Sequence, residues 1–345
     1  MIRISKRDGI RPLSSLLIRV IALLIAMLAC VLLSFASTGR SPFAVLQQMV
    51  AGSFGTPKRM WEFLQRTMML TCIAVGLAPA FKMRFWNVGA EGQLLIGGLG
   101  AVILMRFCYK LPSIPLLILM ALLAVAFGAI WGMIPGFFKA KWNANETLFT
   151  LMMNYIATQL VLYFCTIWEG TKGTVKIGII NDSKNPAGLH KGWIGEMFTG
   201  NFNDKDYMWV VVIVLLVVVL MWAYLRYTKH GYEIAVVGDS ENTARYAGIR
   251  VPVVYVRTMA LSGGVCGFAG FLAVSRTLTE NTAGGRGFTA IIIAWLSHTN
   301  PFLMIVFSAL YCFMELAGKQ MASVFQLNDY FSKILTGIIL FFILG

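Results

Sequence analysis

The sequence predicts an all-α polytopic membrane protein with about nine or ten membrane-inserted helices, and three observations carry that prediction. First, 58 % of the residues are hydrophobic and only 13 % are charged, with a mean hydropathy of +0.74, far from the balance of a soluble domain. Second, uninterrupted apolar runs reach the roughly eighteen residues that a bilayer-spanning helix needs. Third, the formal charge of +14 is spread over short loops between those runs. That is the pattern of basic loops on one side of a membrane, not of a nucleic-acid-binding patch. The cysteines (Cys30, Cys72, Cys108, Cys165, Cys266 and Cys312) fall within or at the ends of apolar segments. They form no CxxC pair or disulfide framework and read as small packing residues.

Each element follows from its local pattern. Arg3, Lys6, Arg7, Arg11 and Arg19 surround the start of a first apolar run at 16–36. The run is too long for a removable signal peptide, so it reads as a first span behind a cytoplasmic tail at 1–15. Between 41 and 52, Phe43, Leu46, Met49 and Val50 recur at helical spacing around Gln47 and Gln48, as in a short interfacial helix. A second span is predicted over 63–81, bent at Pro79, and Lys82 and Arg84 return the chain to the basic side. A glycine-rich piece at 94–107 is short for a full crossing. The run 114–138 carries Gly128, Gly132 and Gly136, a small-residue face that lets helix backbones approach. A span over 147–167 is entered through Asn145 and Glu146 and carries Asn154. The stretch 169–206 turns polar, with five lysines balanced by five acidic residues, and reads as an external segment. Spans follow at 208–225 and 253–274, the latter with Gly263, Gly267 and Gly270 as a second packing face. Apolar pieces at 288–296, 302–317 and 331–344 end the chain.

The stretch Phe85-Trp86-Asn87-Val88-Gly89-Ala90-Glu91-Gly92-Gln93 interrupts this apolar pattern. A carboxylate inside a bilayer costs roughly 2.5–3.5 kcal/mol, so it faces a cavity or a partner. An unwound backbone at that depth is tolerated only beside a cavity or inside protein. If a helix restarts near Ala90, Glu91 sits in its first turn, where the helix dipole favours negative charge. Three alternatives stay open: a loop at the membrane surface, a cap on Glu91's own helix, or a bond to a neighbouring helix. A second interruption lies at 276–287, with Thr282, Gly284, Gly285 and Gly287, and the apolar piece after it spans only about 13 Å as helix. Paired broken segments in corresponding positions point to an internal repeat around a central site. On that reading the substrate-pathway candidates are Asn87, Glu91 and Gln93 from one interruption and Glu146 and Asn154 from the next span. Phe288 and Asn300 join them from the second interruption.

No GxxxxGK[ST] phosphate loop occurs, so the chain carries no P-loop ATPase site. No two of the histidines His190, His230 and His298 share a helix face with a carboxylate, which argues against a metal enzyme. The stretch 228–250 sets apolar Ile234, Ala235, Val236 and Val237 in a basic loop. It predicts a short helix, a turn at Gly238 and a second helix over 242–247, docked on another subunit, with a solvated loop as the alternative. Its candidate contact residues are Tyr232, Glu233, Gly238, Asn242, Ala244 and Arg245. Two functions fit: a permease driven by a separate ATPase, or a stand-alone secondary transporter or channel for a small polar solute.

The stretch from Phe85 to Gln93 resembles the FNIGAEGQ signature of the nucleoside/simple-sugar ABC transporter permeases, with Trp86 placed between the phenylalanine and the asparagine. Asn145-Glu146 and Thr150-Leu151-Met152-Met153-Asn154-Tyr155-Ile156-Ala157 are similar to that family's NE…TLMLNYIA. Residues Gly238 through Ile249 are similar to its GENPEAARYAGI. Leu261-Ser262-Gly263-Gly264, Ala283 to Gly287 and His298-Thr299-Asn300-Pro301 match its later motifs in order, while Trp295-Leu296-Ser297-His298 replaces an LLGR-like sequence. The resemblance covers about residues 63–344. It implies a transmembrane permease domain (1–345 as one unit) with no catalytic role, metal or cofactor. A cytoplasmic ABC ATPase would dock at 228–250, and a second permease, homologous but non-identical, would complete the channel. An extracellular substrate-binding lipoprotein of the basic-membrane-protein type would deliver nucleosides or related simple sugars. The setting implied is the bacterial cytoplasmic (inner) membrane, with no nucleic-acid partner. Independently, the lack of an intramembrane arginine cluster argues against phosphorylated ligands, which want arginine clamps.

Overall fold

The computed structural model describes residues 25, 28–36, 39, 41–108, 111, 113–169, 172–173, 177, 205–274, 278–279, 281–326, 330, 334–335, 337–338 and 341. The predicted tail at 1–15, nearly all of the external segment 169–206 and most of the final run lie outside them. Among the described residues the protein is helical: α1 (Pro42–Phe54), α2 (Pro57–Lys82), α3 (Ala90–Phe107), α4 (Ser113–Trp142), α5 (Glu146–Ile167), α6 (Lys205–Tyr227), α7 (Lys229–Asp239), α8 (Glu241–Tyr246), α9 (Val251–Ala273), α10 (Arg286–Leu296) and α11 (Pro301–Val324). Seven of these, α2 to α6, α9 and α11, are long and apolar enough to cross a membrane, and α10 is a shorter apolar helix. The all-α polytopic class is thus as the sequence predicts. Several helix starts fall a few residues outside the apolar runs, and side chains cap some of them. Asn145 Oδ1 accepts from Leu148 N (3.1 Å) and Ser41 Oγ from Ala44 N (3.4 Å), each meeting an N–H that the first helical turn leaves unpaired.

The chain forms two compact units, Met1–Leu64 with Ala309–Gly345, and Gln65–Ser308. In the first, Val45 and Met49 of α1 share a buried cluster with Met314, Ala317 and Met321 of α11, and Gln320 Nε2 donates to Gln48 Oε1 (3.2 Å).

In the second unit, α9 lies between α4 and α3. The two glycine faces read from the sequence are each other's partners. A Cβ on Gly132 would lie 3.0 Å from Gly263 Cα, and one on Gly128 would lie 2.7 Å from Gly267 Cα. Gly267 is also met from α3, where a Cβ on Gly97 would lie 2.7 Å from its carbonyl carbon. Lipid tails are as apolar as leucine, so close backbone contact and dispersion, rather than apolar burial, hold such helices together.

The turn predicted at Gly238 is corrected. Helix α7 continues through Gly238, and the break falls at Ser240 (φ −160°, ψ 120°), whose hydroxyl caps α8 by accepting from Thr243 N (3.2 Å). Gly238 serves close approach instead: a Cβ there would collide with the Lys82 carbonyl at the end of α2.

Candidate functional site

Lys82, Lys139, Lys141, Arg226 and Arg250 lie at one end of α2, α4, α6 and α9, here called the basic end. After α2 the chain runs without helix over 85–88. Phe85 packs on Tyr255 near the start of α9, with ring centroids 5.9 Å apart. Asn87 Nδ2 then donates to Ser262 Oγ (3.1 Å), about 16 Å along α9 from Val251. The segment therefore passes from the basic end to mid-depth before α3 begins.

Side chains satisfy this unwound backbone. Asn87 and Gln93, both buried, exchange amide hydrogen bonds (3.3 Å each way), and Asn87 Oδ1 accepts from Gly89 N (3.0 Å). From α5, Thr150 Oγ1 accepts from Val88 N (3.1 Å). Asn154 donates to Val88 O and accepts from Gly92 N, both at 2.8 Å. Thr150 and Asn154 are one helical turn apart on the buried face of α5, so one face meets successive polar groups of the stretched chain. This is what non-helical backbone inside a membrane requires.

The second interruption leads into α10, whose N-cap, Gly285, is left-handed (φ 76°) and has no side chain to cap with. Glu91 of α3 supplies the cap. Its Oε1 accepts from Gly285 N (2.7 Å) and its Oε2 from Gly287 N (2.6 Å). The approach requires glycine, since a Cβ on Gly287 would lie 2.7 Å from Glu91 Cα. Arg286 Nη1 donates to Met69 Sδ (2.9 Å), about 20 Å along α2 from Lys82, so α10 also begins at mid-depth. It runs to the basic end, where Thr299 and Asn300 line a cavity of about 390 Å³ with Lys82, Arg226 and Tyr232. Helix α3 runs the other way, and Arg106 in its last turn lies over Trp168 beyond the end of α5 (5.4 Å to the ring centroid). The span-length helix α3 and the short helix α10 thus point their N-termini at each other across one carboxylate. Each N-terminus carries partial positive charge and unpaired N–H groups, so one anion stabilises both.

The structure brings four of the sequence candidates together: Asn87, Glu91, Gln93 and Asn154. Phe288 stands at the first turn of α10, 43 % exposed. Glu146 lies at the basic end in an ion pair with Lys139 (3.0 Å). Asn300 caps the start of α11, its Oδ1 accepting from Phe302 N (3.1 Å). Sequence reasoning placed Gly285 and Gly287 in the second interruption without assigning them a partner, and missed Thr150, Ser262 and Arg286 as parts of this centre. The four-residue spacing of Thr150 and Asn154 was a usable signal; Ser262 offered none. In α7 and α8, Glu233 pairs with Arg257 (2.8 Å) and Glu241 with Arg245 (3.6 Å), and Ala244 is fully buried. Tyr232 and Asn242 are exposed, and Tyr246, unnoticed in the sequence, is 93 % exposed.

Helices that begin at mid-depth after unwound segments and face each other N-terminus to N-terminus are the arrangement of a membrane transport protein. Residues 59–344 match the family described as branched-chain amino acid transport system / permease component, and the chain belongs to it. It is 28 % identical to the guanosine ABC transporter permease protein NupP of Bacillus subtilis (strain 168), over 83 % of this chain and 81 % of that one. It is 26 % identical to the glucose ABC transporter permease protein TsgB13 of Haloferax volcanii, over 82 % and 75 % respectively. The nucleoside ABC transporter permease protein NupB of Lactococcus lactis subsp. cremoris is 25 % identical, over 91 % and 86 %. No solved structure matches. The protein is therefore a multi-pass permease subunit of an ABC importer, a transport component rather than an enzyme, and its family works with an ATPase and the other components of such systems. Membership decides between the two functions that the sequence left open.

Proposed function

We propose that this permease conducts nucleosides or related simple sugars along a route that passes the meeting point of α3 and α10. The observation that carries the neutral-solute reading is the pair of hydrogen bonds that the Glu91 carboxylate accepts from Gly285 N and Gly287 N. It occupies both helix N-termini with an anion of the protein's own, so a phosphorylated solute finds no free donor set there. The names of the relatives supply the solute class. Asn87, Glu91, Gln93 and Asn154 shape the route by fixing its backbone, Phe288 flanks it, and Glu146 and Asn300 belong to its basic end.

A cytoplasmic ATPase docks on α7 and α8, and its closure moves them as a rigid body. Glu233, Gly238, Ala244 and Arg245 hold the shape of this element, while Tyr232, Asn242 and Tyr246 present it. A second, homologous permease completes the path, and an extracellular lipoprotein delivers the solute. The basic ends and the N-terminus face the cytoplasm across the bacterial inner membrane.

The test is uptake by the reconstituted complex in proteoliposomes, with labelled guanosine and glucose. We expect nucleoside uptake that needs ATP and the binding protein. Tyr246→Asp should abolish most uptake while the melting temperature of the permease stays unchanged. Flux without ATP would overturn the driven mechanism, and full uptake by Tyr246→Asp would remove α8 from the docking surface.

A further inference from the structure

The exposed faces of the membrane-crossing helices are of two kinds. On α4 the exposed side chains of the central turns include Ile118, Leu122, Ile130 and Met133; on α6 they include Val212, Leu216, Val219 and Leu220. Both faces are hydrocarbon throughout their middle turns, as lipid contact demands. Helix α5 differs. Its buried side holds α3 through Thr150 and Asn154, and its opposite side exposes Tyr155, Gln159, Tyr163 and Thr166 among the apolar Leu148, Met152, Ile156 and Ile167. Tyr155 is 68 % and Tyr163 60 % exposed, and each lies one helical turn from Gln159. Gln159 sits about 20 Å along the helix from Glu146, near the middle of the span, and makes no hydrogen bond among the described residues. A primary amide facing lipid there would leave its donors and acceptor unmet, which is expensive. The face therefore borders water or solute.

We propose that Tyr155, Gln159 and Tyr163 form a further solute-contacting wall, on the side of α5 turned away from α3 and apart from the α3–α10 meeting point, and select for nucleobases. A base stacks flat on a tyrosine ring, as bases do on exposed aromatics without regard to sequence. The Gln159 amide, a donor and acceptor side by side, pairs with the donor–acceptor edge of the base. No charge on this face resists release, which a transport path needs. The inference rests on the nucleoside reading above and names the residues that enforce it.

The experiment introduces Gln159→Cys into the intact complex in membranes, with the half-buried native thiol removed as Cys108→Ser. A charged, membrane-impermeant maleimide should label Gln159→Cys, and guanosine should slow the labelling. Labelling only by a lipid-soluble maleimide places this face against lipid and overturns the proposal. So does a thiol that neither reagent reaches, or one whose labelling ignores guanosine. In uptake assays Gln159→Leu should raise KM for guanosine about tenfold, the loss of one neutral hydrogen bond. Tyr155→Phe should transport normally and Tyr155→Ala should not. If the wild-type complex imports no nucleoside, the nucleoside reading fails. If it does and these variants behave as wild type, the wall assignment alone fails.

Discussion

The two interrupted spans meet at one carboxylate but are secured in opposite ways. The first, leading into α3, is held by Asn87 and Gln93 from its own segment, Thr150 and Asn154 from α5 and Ser262 from α9. The backbone at the start of the second, α10, is gripped from outside its own segment by Glu91. A network drawn from three helices cannot open unless many bonds break together, so the α3 entrance behaves as scaffold. The start of α10 is held by the two bonds to Glu91 and by Arg286 on Met69, and elements held by fewer bonds are where conformational change concentrates. The contrast assigns the fixed wall to α3 and the movable half to α10.

Three substitutions sharpen or break that contrast. The largest effect is expected from Asn154→Leu, which strands Val88 O and Gly92 N. At about 1–3 kcal/mol for each buried group left unmet, the loss is about 2–6 kcal/mol. Permease yield and melting temperature in detergent should both fall, with uptake falling in proportion. Glu91→Gln comes second. Its amide oxygen still accepts from one N–H but the amino group faces the other, so one charge-assisted bond of about 1.5–3 kcal/mol is lost. Here uptake should fall by more than the melting shift accounts for, at normal expression. Normal uptake with unchanged melting would show that the joint lies elsewhere. The smallest effect is expected from Ser262→Ala, which removes one of several contacts to Asn87. A stability change of about 0.5–1.5 kcal/mol with unaltered uptake would confirm redundancy on the scaffold side, whereas a loss as large as that of Asn154→Leu would refute it.

Much of this centre was legible in the residues. The polar run from Asn87 to Gln93 inside an apolar chain announced an unwound segment, because such groups need partners wherever lipid excludes water. The short run after Gly287 announced a second, because nine residues do not cross a bilayer. The alternative that Glu91 bonds a neighbouring helix was also open in the sequence, but its partner was not. Glu91 and Gly287 are brought together by α10 packing on α3, and no local pattern encodes that packing. The α7–α8 element shows the same division. Apolar residues predicted docking on another subunit, but Ile234 and Val237 are buried within this chain and Gly238 lies against Lys82 O. In the fold Ala244 is buried and Tyr246 projects.

By itself, then, the sequence determined the membrane class, the positions of the helices, the two small-residue faces and the two interruptions, since each follows from hydropathy, helical period or glycine placement within a few turns of chain. The tertiary structure decided the pairings: Gly128 and Gly132 with Gly263 and Gly267, Asn154 with the backbone of residues 88 and 92, and Glu91 with the end of a helix nearly two hundred residues away. The physical reason is that a buried polar group or a glycine face states that it needs a partner, while only the packing of distant backbones supplies one.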